Sequence, residues 1–242
     1  MTDKANQGAG SAAHKALLDR YLNPRIIAEH VFSGGGSCMH RSIRSQVPGL
    51  RCVGRALTVR TASGFNRRVL EALAMAEKGD VLVIAGGGEA EVAVWGGMVH
   101  WNATRKGLGG IVADGMTRDL IEIKSLEGTV PLFACGQVPA IAGFGTPTSG
   151  AIGEPIICGG VQVRTGDLVY GDDDGVVVVP WEQAETVLDL ALKSIAFDDK
   201  EQAWVESGRE VVDLLKMLWD PDGTTYKERK FKWAMQNSLD PL

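Results

Sequence analysis

The sequence predicts an α/β fold in which helices cover a largely parallel sheet. Short apolar runs alternate with segments of helical spacing, in the order βαβαβαβ, followed by strands and then by helices. This alternation is typical of a parallel sheet with helical crossovers. Glycine is frequent, at 31 of 242 residues, which indicates many tight turns and close backbone approaches. The length suits one domain with appended helices.

The predicted organisation has three parts. Residues 1–12 are expected to be a disordered tail, 13–198 a single α/β domain, and 199–242 a C-terminal helical extension that packs on a neighbouring subunit. The domain is expected to begin with a helix over 13–31, interrupted by Pro24, and a flexible glycine loop at 33–37. The elements expected next are a strand at 56–61, a helix at 66–78, a strand at 81–85, a helix at 95–106, a strand at 111–113, a helix at 120–126, a strand at 132–135, loops or irregular strands at 136–153, paired strands at 161–179, and helices at 181–196 and 200–219.

Composition narrows the functional classes. The formal net charge is −5 and no basic stripe is present, which argues against a nucleic-acid partner. No apolar run is long enough to span a bilayer and the N-terminus has no signal-peptide core, so a cytoplasmic protein without a membrane partner is expected. The cysteines have no zinc-site spacing and are expected to be reduced thiols; they are Cys38, Cys52, Cys135 and Cys158.

The stretch 114–119, Asp-Gly-Met-Thr-Arg-Asp, is the most informative segment. It follows a short apolar run that ends in Ala113 and precedes a helix, so a tight Asp-Gly turn is expected to present Arg118 and Asp119 at the mouth of that helix. Arginine can bind a carboxylate through two parallel hydrogen bonds, and aspartate supplies oxygen ligands for a hydrated divalent cation. The pair suggests an enzyme acting on a small acidic carbonyl compound. The alternative is a salt-linked turn that caps a helix.

A second candidate segment contains two groups of glycines, 86–88 and 96–97, around an acidic stretch. It is not a Walker loop, because no Gly-Lys-Ser/Thr follows. The backbone N–H groups of Gly97, Met98 and Val99 are expected to open a helix, where N–H groups and the helix dipole bind anions. The alternative is a simple strand–turn–helix connection.

These motifs resemble, in order, those of the family that contains the regulator of ribonuclease activity A and the aldolases of 4-hydroxy-4-methyl-2-oxoglutarate and 4-carboxy-4-hydroxy-2-oxoadipate. Residues 114–119 are similar to its Asp-Gly-x-x-Arg-Asp signature. The other similar segments are 79–84 (a Gly-Asp-Val-Leu-Val strand), 95–99 (the glycine loop), 158–167 (a Gly-Gly-x-x-Val-x-x-Gly-Asp hairpin) and 171–180 (the last strand). The resemblance covers about 54–208, and several motifs in one order are more specific than any single one.

The resemblance implies a fold, a site and an activity. The fold is a swivelling β/β/α domain similar to the phosphohistidine domain, assembled as a trimer or a dimer of trimers. Gly96, Gly97, Met98 and Val99 would bind the oxygens of a pyruvyl group. Arg118 would clamp the substrate carboxylate and neutralise an enolate, Asp119 would hold Mg²⁺ or Mn²⁺, and Glu201 of a neighbouring subunit would reach the metal waters. Arg118 and Asp119 are the expected catalytic pair.

The chain departs from the family at two places. Gly97 stands where many relatives carry Asp or Glu, so Glu89, Glu91 or a neighbouring subunit supplies a second acid, or the metal affinity is lower, or the chemistry differs. The glycine loop at 33–37 replaces the family's Asp-Ala-Leu helix.

The predicted activity is a class II, metal-dependent aldolase reaction. It cleaves a 4-hydroxy-2-oxo di- or tricarboxylic acid to pyruvate and a second oxo acid, with oxaloacetate decarboxylation as a side activity. The alternative is a non-enzymatic regulator of ribonuclease activity that acts by protein binding, for which Trp219, Tyr226, Phe231 and Trp233 could pack a partner or a sister subunit. A third possibility is the same enolate chemistry on an unrelated oxo acid. No adenosylmethionine-binding pattern supports the methyltransferase names attached to such sequences.

Structural explanations are preferred for the other polar residues. His100 is expected to be a core or surface histidine rather than a proton shuttle, and Asp114 to accept backbone hydrogen bonds. The remaining expectations are packing for Trp95 and Trp101, a cationic helix end for Arg105 and Lys106, a turn for Asp172, Asp173 and Asp174, and an exposed helix face as the alternative for Glu201 and Glu206.

Overall fold

The computed structural model describes residues 23–31, 37–86, 91–143, 149–219 and 226–236. The predicted tail at 1–12, most of the first predicted helix and residues 33–36 of the glycine loop lie outside these ranges. The chain divides into two compact units, Met1–Glu185 and Thr186–Leu242. Within the described ranges, no helix combines the length and apolar character that crossing a membrane requires.

The elements of the first unit alternate as the sequence predicts. They are α1 Pro24–Val31, β1 Arg44–Ser45, β2 Cys52–Thr61, α2 Arg67–Met75, β3 Asp80–Ala85, β4 Ala93–Trp95, α3 Gly97–Lys106, β5 Gly110–Thr117, α4 Leu120–Ser125, β6 Leu132–Gln137, β7 Gly150–Ile152, β8 Ile156–Cys158, β9 Val161–Val163, β10 Leu168–Asp172, β11 Gly175–Val179 and a 3₁₀ turn at Trp181–Gln183. The helices that follow are α5 Ala184–Glu206, α6 Val211–Leu218 and α7 Tyr226–Ala234.

One sheet organises the first unit. Its strand order is β1-β6-β5-β3-β2-β10-β11, with β4 added beside β5 and β7 beside β2. The central pairs β2–β3, β3–β5 and β5–β6 are parallel, and the outer pairs are antiparallel. The sheet curls until its two outermost strands, β1 and β11, approach each other, so it is nearly closed. The predicted mixed α/β architecture with a largely parallel centre is confirmed.

The central strands are apolar on both faces because both faces are covered. In β3, Leu82 and Ile84 join one buried cluster, and Val81 and Val83 join the other. Strands buried on both sides read as continuous hydrophobic runs, which is why β3 is recognisable from its sequence.

The Asp-Gly turn predicted after Ala113 is wrong. Strand β5 continues through Thr117, and Met116 and Thr117 pair with Gly136 and Gln137 of β6. Gly115 fits this strand because a Cβ there would lie 3.1 Å from a methyl carbon of Val94. The chain therefore turns four residues later than predicted, at Arg118 and Asp119.

Two helix boundaries also differ from the prediction. Trp95 lies at the end of strand β4, and the helix after it begins at Gly97. Near the C-terminus, the break predicted between 196 and 200 is absent, since α5 runs without interruption from Ala184 to Glu206. No glycine or proline occurs in α5, and the chain leaves the helix only near Gly208, which has a φ of +83°.

The second unit has its own aromatic core. Phe197, Trp204 and Trp233 meet edge to face, with ring centroids 5.7 and 6.0 Å apart, and Leu214 and Leu218 are buried with them. Trp233 is fully buried within its own chain, so the expectation that it packs a partner is wrong. Trp219, by contrast, is 65% exposed.

Candidate active site at two adjacent strand–helix turns

The predicted site residues lie on two turns that the sheet brings together. Strand β4 pairs with β5 in parallel, with Trp95 opposite Thr117. The residues that follow each strand, Gly96 on one side and Arg118 on the other, are therefore neighbours at the carboxyl edge of the sheet. This edge is where ligands bind in open α/β sheets. The Arg118 N–H donates to the Trp95 carbonyl at 3.1 Å and fastens one turn to the other.

Asp119 has an unusual backbone conformation. Its φ of 62° and ψ of 33° are left-handed, and among the described residues it is the one non-glycine residue with a positive φ. A left-handed conformation costs an ordinary residue about 1–2 kcal/mol, but Asp and Asn adopt it more readily than other side chains. The conformation directs the carboxylate back towards helix α3 instead of along its own helix.

The Asp119 carboxylate binds the start of helix α3. Its Oδ2 accepts the Gly97 N–H at 2.9 Å and lies 3.4 Å from Arg118 Nε. An anion at a helix N-terminus is favoured by the unpaired N–H groups and by the helix dipole. The side chains of Arg118 and Asp119 are 32% and 38% exposed, so solvent reaches both.

Both glycines of the turn lie close to the Arg118–Asp119 turn, and Gly96 has the less room for a side chain. A Cβ at Gly96 would lie 2.9 Å from Asp119 Oδ2 and 3.2 Å from Arg118 Nε. A Cβ at Gly97 would lie 3.2 Å from Asp119 Cβ and 3.4 Å from its Oδ2. A side chain at position 97 would therefore face the Asp119 carboxylate directly.

Helix α3 presents further backbone donors at this turn. Its first internal hydrogen bond runs from the His100 N–H to the Gly96 carbonyl at 3.0 Å, which leaves the N–H groups of Gly97, Met98 and Val99 outside the helical pattern. Asp119 takes the Gly97 N–H, and no described residue accepts from Met98 or Val99. The helix begins at Gly97, as the prediction of an anion-binding helix start requires, and not at Trp95.

A buried hydrogen-bond network lies next to the Gly96–Gly97 turn. The Trp95 indole N–H donates to His100 Nδ1 at 3.1 Å, and His100 Nε2 lies 2.8 Å from Thr129 Oγ1. His100 is fully buried, and burial lowers its pKa to about 4. The prediction of a core histidine is confirmed. Sequence reasoning missed Thr129, since no local pattern connects it with His100.

Several neighbouring residues have structural roles. The Asp114 carboxylate accepts the Gly159 N–H at 3.0 Å and the Cys135 thiol at 3.4 Å, which confirms that it accepts backbone hydrogen bonds. Arg105 and Lys106 lie in the last turn of α3 before Gly107, as predicted. Lys106 also donates to the carbonyls of Leu73, Ala74 and Ala76 at 2.7–2.9 Å and so caps the end of helix α2.

The packing expected for Trp95 and Trp101 and the turn expected at 172–174 have different outcomes. Trp95 is buried as predicted, but Trp101 is 55% exposed, so its assignment as a packing residue is wrong within this chain. The acidic turn at 172–174 joins β10 to β11 as expected, where the Asp174 N–H donates to Asp172 Oδ1 at 3.0 Å.

The proposed second acids are spread over the chain. Glu201 and Glu206 lie on helix α5 in the second unit, Glu91 is exposed before β4, and Glu89 lies outside the described residues. In the described part of the chain, no three His, Cys, Asp or Glu residues are grouped as metal ligands would be. Asp119 is therefore the acidic side chain at this turn.

The comparison with protein families matches residues 19–178 to the RraA-like family, described as Aldolase/RraA. The chain belongs to the RraA-like family. A Halalkalibacterium halodurans relative named "Putative 4-hydroxy-4-methyl-2-oxoglutarate aldolase" is 43% identical over 150 residues, which are 62% of this chain and 70% of the relative. A Pseudomonas putida relative of the same name is 32% identical over 165 residues, covering 68% of this chain and 91% of the relative.

Solved structures share the fold. A protein from Pseudomonas syringae superposes with a TM-score of 0.72 at 27% identity, covering 82% of this chain and 96% of that chain. Streptomyces coelicolor RraAS2, titled an unusual member of the RNase ES inhibitor RraA protein family, superposes with a TM-score of 0.65 at 27% identity, covering 78% and 96%. The family predicted from the motifs is thereby confirmed.

Proposed function

We propose that this RraA-like protein is a divalent-metal-dependent aldolase that cleaves a 4-hydroxy-2-oxo di- or tricarboxylic acid to pyruvate and a second oxo acid. The proposal is carried by one observation: Arg118, Asp119 and the unpaired N–H groups of helix α3 lie together at a solvent-accessible turn. A guanidinium and backbone donors suit an oxo-acid anion, and a carboxylate beside them suits its metal. The aldolase names of the relatives support the same chemistry.

Arg118 and helix α3 would bind the charged part of the substrate. The N–H groups of Met98 and Val99 have no acceptor among the described residues and are free to receive carboxylate or oxo oxygens. When the C3–C4 bond breaks, its electron pair passes into the pyruvyl fragment, and the negative charge falls next to Arg118. Fixed donors aimed at developing charge are the largest single contribution in many enzymes. A base takes the C4 hydroxyl proton, and protonation at C3 releases pyruvate.

Asp119 fits a metal that keeps most of its water. One oxygen is engaged by the Gly97 N–H, and Oδ1 makes no hydrogen bond with a described residue. Mg²⁺ commonly binds through one or two carboxylates, with water and substrate completing its shell, so a single exposed aspartate is compatible with it. Bound Mg²⁺ or Mn²⁺ would supply Lewis acidity at the 2-oxo group. Glu201 of a neighbouring subunit is the proposed second acid.

A shared site requires an oligomer, and we propose a trimer or hexamer with closed symmetry. Large apolar side chains near the site support an interface there: Met98 is 74%, Trp101 55% and Ile121 84% exposed. Exposed apolar groups concentrated beside a polar site are typical of protein interfaces.

The deciding experiment follows pyruvate. The purified protein is treated with EDTA, supplied with Mg²⁺ or Mn²⁺, and given 4-hydroxy-4-methyl-2-oxoglutarate or oxaloacetate, with pyruvate measured by a coupled dehydrogenase. Metal-dependent pyruvate release from both substrates is expected, since decarboxylation passes through the same enolate. No pyruvate from either substrate above the EDTA control would overturn the proposal.

The alternative function is a regulator of ribonuclease activity. A Thermus thermophilis structure titled RNA-processing inhibitor RraA has the same fold, with a TM-score of 0.58 at 26% identity. This alternative requires no chemistry at Arg118 and Asp119. Inhibition of a ribonuclease by the wild type and by Asp119→Asn alike, without pyruvate release, would favour it.

A further inference from the structure

His100 is a buried histidine next to the glycine turn, and its ring hydrogen-bonds neither Arg118 nor Asp119. Trp95 Nε1 can only donate, so His100 Nδ1 must accept, and the neutral ring then carries its proton on Nε2, which donates to Thr129 Oγ1. Both ring nitrogens are therefore engaged, and the direction of each hydrogen bond is fixed.

His100 holds both sides of the turn that forms the proposed site. Its backbone N–H donates to the Gly96 carbonyl, and its ring accepts from the Trp95 indole. The Trp95 carbonyl in turn accepts the Arg118 N–H at 3.1 Å and the Thr117 hydroxyl at 3.2 Å. His100 is thus linked directly to the turn before α3, and through Trp95 to the turn that carries Arg118.

The third connection reaches the far side of helix α4. Thr129 lies in the segment between α4 and β6, and α4 begins immediately after Asp119. His100 therefore joins β4, α3 and the segment that follows α4, which are the elements around the Arg118–Asp119 turn. Catalytic geometry usually depends on supporting residues of this kind, whose own orientation is fixed by hydrogen bonds.

We propose that His100 is a positioning residue for the site: by accepting the Trp95 indole N–H, it holds the Gly96–Gly97 turn and the Arg118 backbone at the separation that catalysis needs. The expected change in kcat rests on the proposed function. The expected displacement of the Gly96–Gly97 turn rests on the structure alone. Burial keeps the imidazole neutral at neutral pH, so the acceptor is available under working conditions.

Each of two substitutions keeps one of the two hydrogen bonds that the His100 ring makes. In His100→Asn, the amide oxygen takes the place of Nδ1 and still accepts from Trp95. In His100→Gln, the amide nitrogen takes the place of Nε2 and still donates to Thr129, but no acceptor remains for the indole. Glutamine is the better helix former, so a purely structural role predicts that His100→Gln is the milder change.

The geometric test is hydrogen exchange of the Gly97 amide, followed by mass spectrometry on peptides covering residues 95–101. In His100→Gln, exchange at Gly97 is expected to rise about fivefold, which is the factor for one net hydrogen bond, whereas His100→Asn keeps the wild-type rate. Trp95→Phe removes the same bond from the other partner, keeps an aromatic ring in the core, and serves if His100→Gln does not fold. Equal exchange in the two histidine variants would overturn the proposal.

The kinetic test separates positioning from stability. His100→Gln is expected to lower kcat by about ten- to a hundredfold with little change in KM, because a small displacement of Arg118 affects the transition state more than binding. His100→Asn should restore most of kcat. Adding Trp95→Phe to His100→Gln should cost nothing more, since both remove one interaction.

The two proposals can fail separately. If the wild type releases no pyruvate while Gly97 exchange still distinguishes the variants, the function is wrong and the positioning role stands. If the wild type is active but both histidine variants lose activity in proportion to their melting temperatures, His100 is a core residue only.

Discussion

The Gly97 N–H donates to Asp119 Oδ2 across 22 positions of sequence. This bond places an anion of the protein itself at the start of helix α3. On the proposed function, a substrate carboxylate or oxo group bound there would be a neighbour of Asp119, so a divalent metal would have a second role beside Lewis acidity: it would offset the repulsion between two anions.

Replacement of Arg118 should act on the transition state. We expect Arg118→Ala to lower kcat/KM for oxaloacetate decarboxylation by about 10²-fold or more, because it removes charge stabilisation of the enolate. Arg118→Lys is the matched control, which keeps the charge but loses the planar donor pair, and it should retain part of the activity. Turnover unchanged in Arg118→Ala would exclude contact between this side chain and the substrate.

Asp119 can be tested without disturbing its backbone. Asn also adopts the left-handed conformation, and its amide oxygen can accept the Gly97 N–H, so Asp119→Asn should melt close to the wild type. Metal-dependent activity should nevertheless be lost, because the charged ligand is gone. Asp119→Ala should lose activity as well and should also be less stable by about 1 kcal/mol, since Ala disfavours a positive φ. Near-normal turnover in Asp119→Asn would end the metal assignment.

The missing acid at position 97 predicts weak metal binding. A Cβ at Gly97 would lie 3.4 Å from Asp119 Oδ2, so Gly97→Asp places a second carboxylate beside the first and should lower the half-saturating Mg²⁺ concentration. Gly97→Ala introduces the same close contact without charge and is the control for crowding of the turn. Equal half-saturation in Gly97→Asp and Gly97→Ala would show that position 97 does not contribute to the metal site.

Because His100 is buried, the free energy of unfolding should decrease as the pH falls. Burial lowers its folded-state pKa to about 4, below the value of about 6.5 in an unfolded chain, so only the unfolded chain takes up the proton between these values. The free energy of unfolding should lose about 2 kcal/mol from this group between pH 7 and pH 5. Urea unfolding of the wild type and of His100→Asn at both pH values isolates the contribution, since all other titrating groups are shared. Parallel pH dependence in the two proteins would contradict it.

The shared site predicts that assembly and activity go together. Light scattering should report a trimer or hexamer, and Glu201→Gln should weaken metal dependence without changing that mass. A fully active monomer would remove both the neighbouring subunit and Glu201 from the site.

The sequence predicts the centre of the sheet well and its turns less well. Strand β3 is recognisable because both its faces are buried and nearly every residue is apolar. The extension of β5 through Asp114 and Gly115 is not, because Asp-Gly normally indicates a turn. What stabilises the extended chain there is distant in sequence: the Gly159 N–H on the Asp114 carboxylate and Val94 against Gly115.

The candidate site also has features that the sequence predicts and features that it does not. The residue types and the helix start at Gly97 follow from the motifs, since glycine, arginine and aspartate have distinct local chemistry. The bond from Gly97 to Asp119 and the network from Trp95 through His100 to Thr129 do not, because they join elements that only the folded sheet brings together. The left-handed backbone of Asp119 was equally hidden, as no local pattern marks it.

That left-handed backbone also bears on how such a protein could change its role over time. A single nucleotide substitution converts an aspartate codon to one for asparagine or glycine, and these are the residues that tolerate the Asp119 conformation best. Either change would remove the charge, and asparagine would also keep an acceptor for the Gly97 N–H. On the proposed function, a single mutation would therefore abolish the chemistry and leave the fold and its surface in place. Such a protein is a starting point from which a binding protein can evolve from an enzyme.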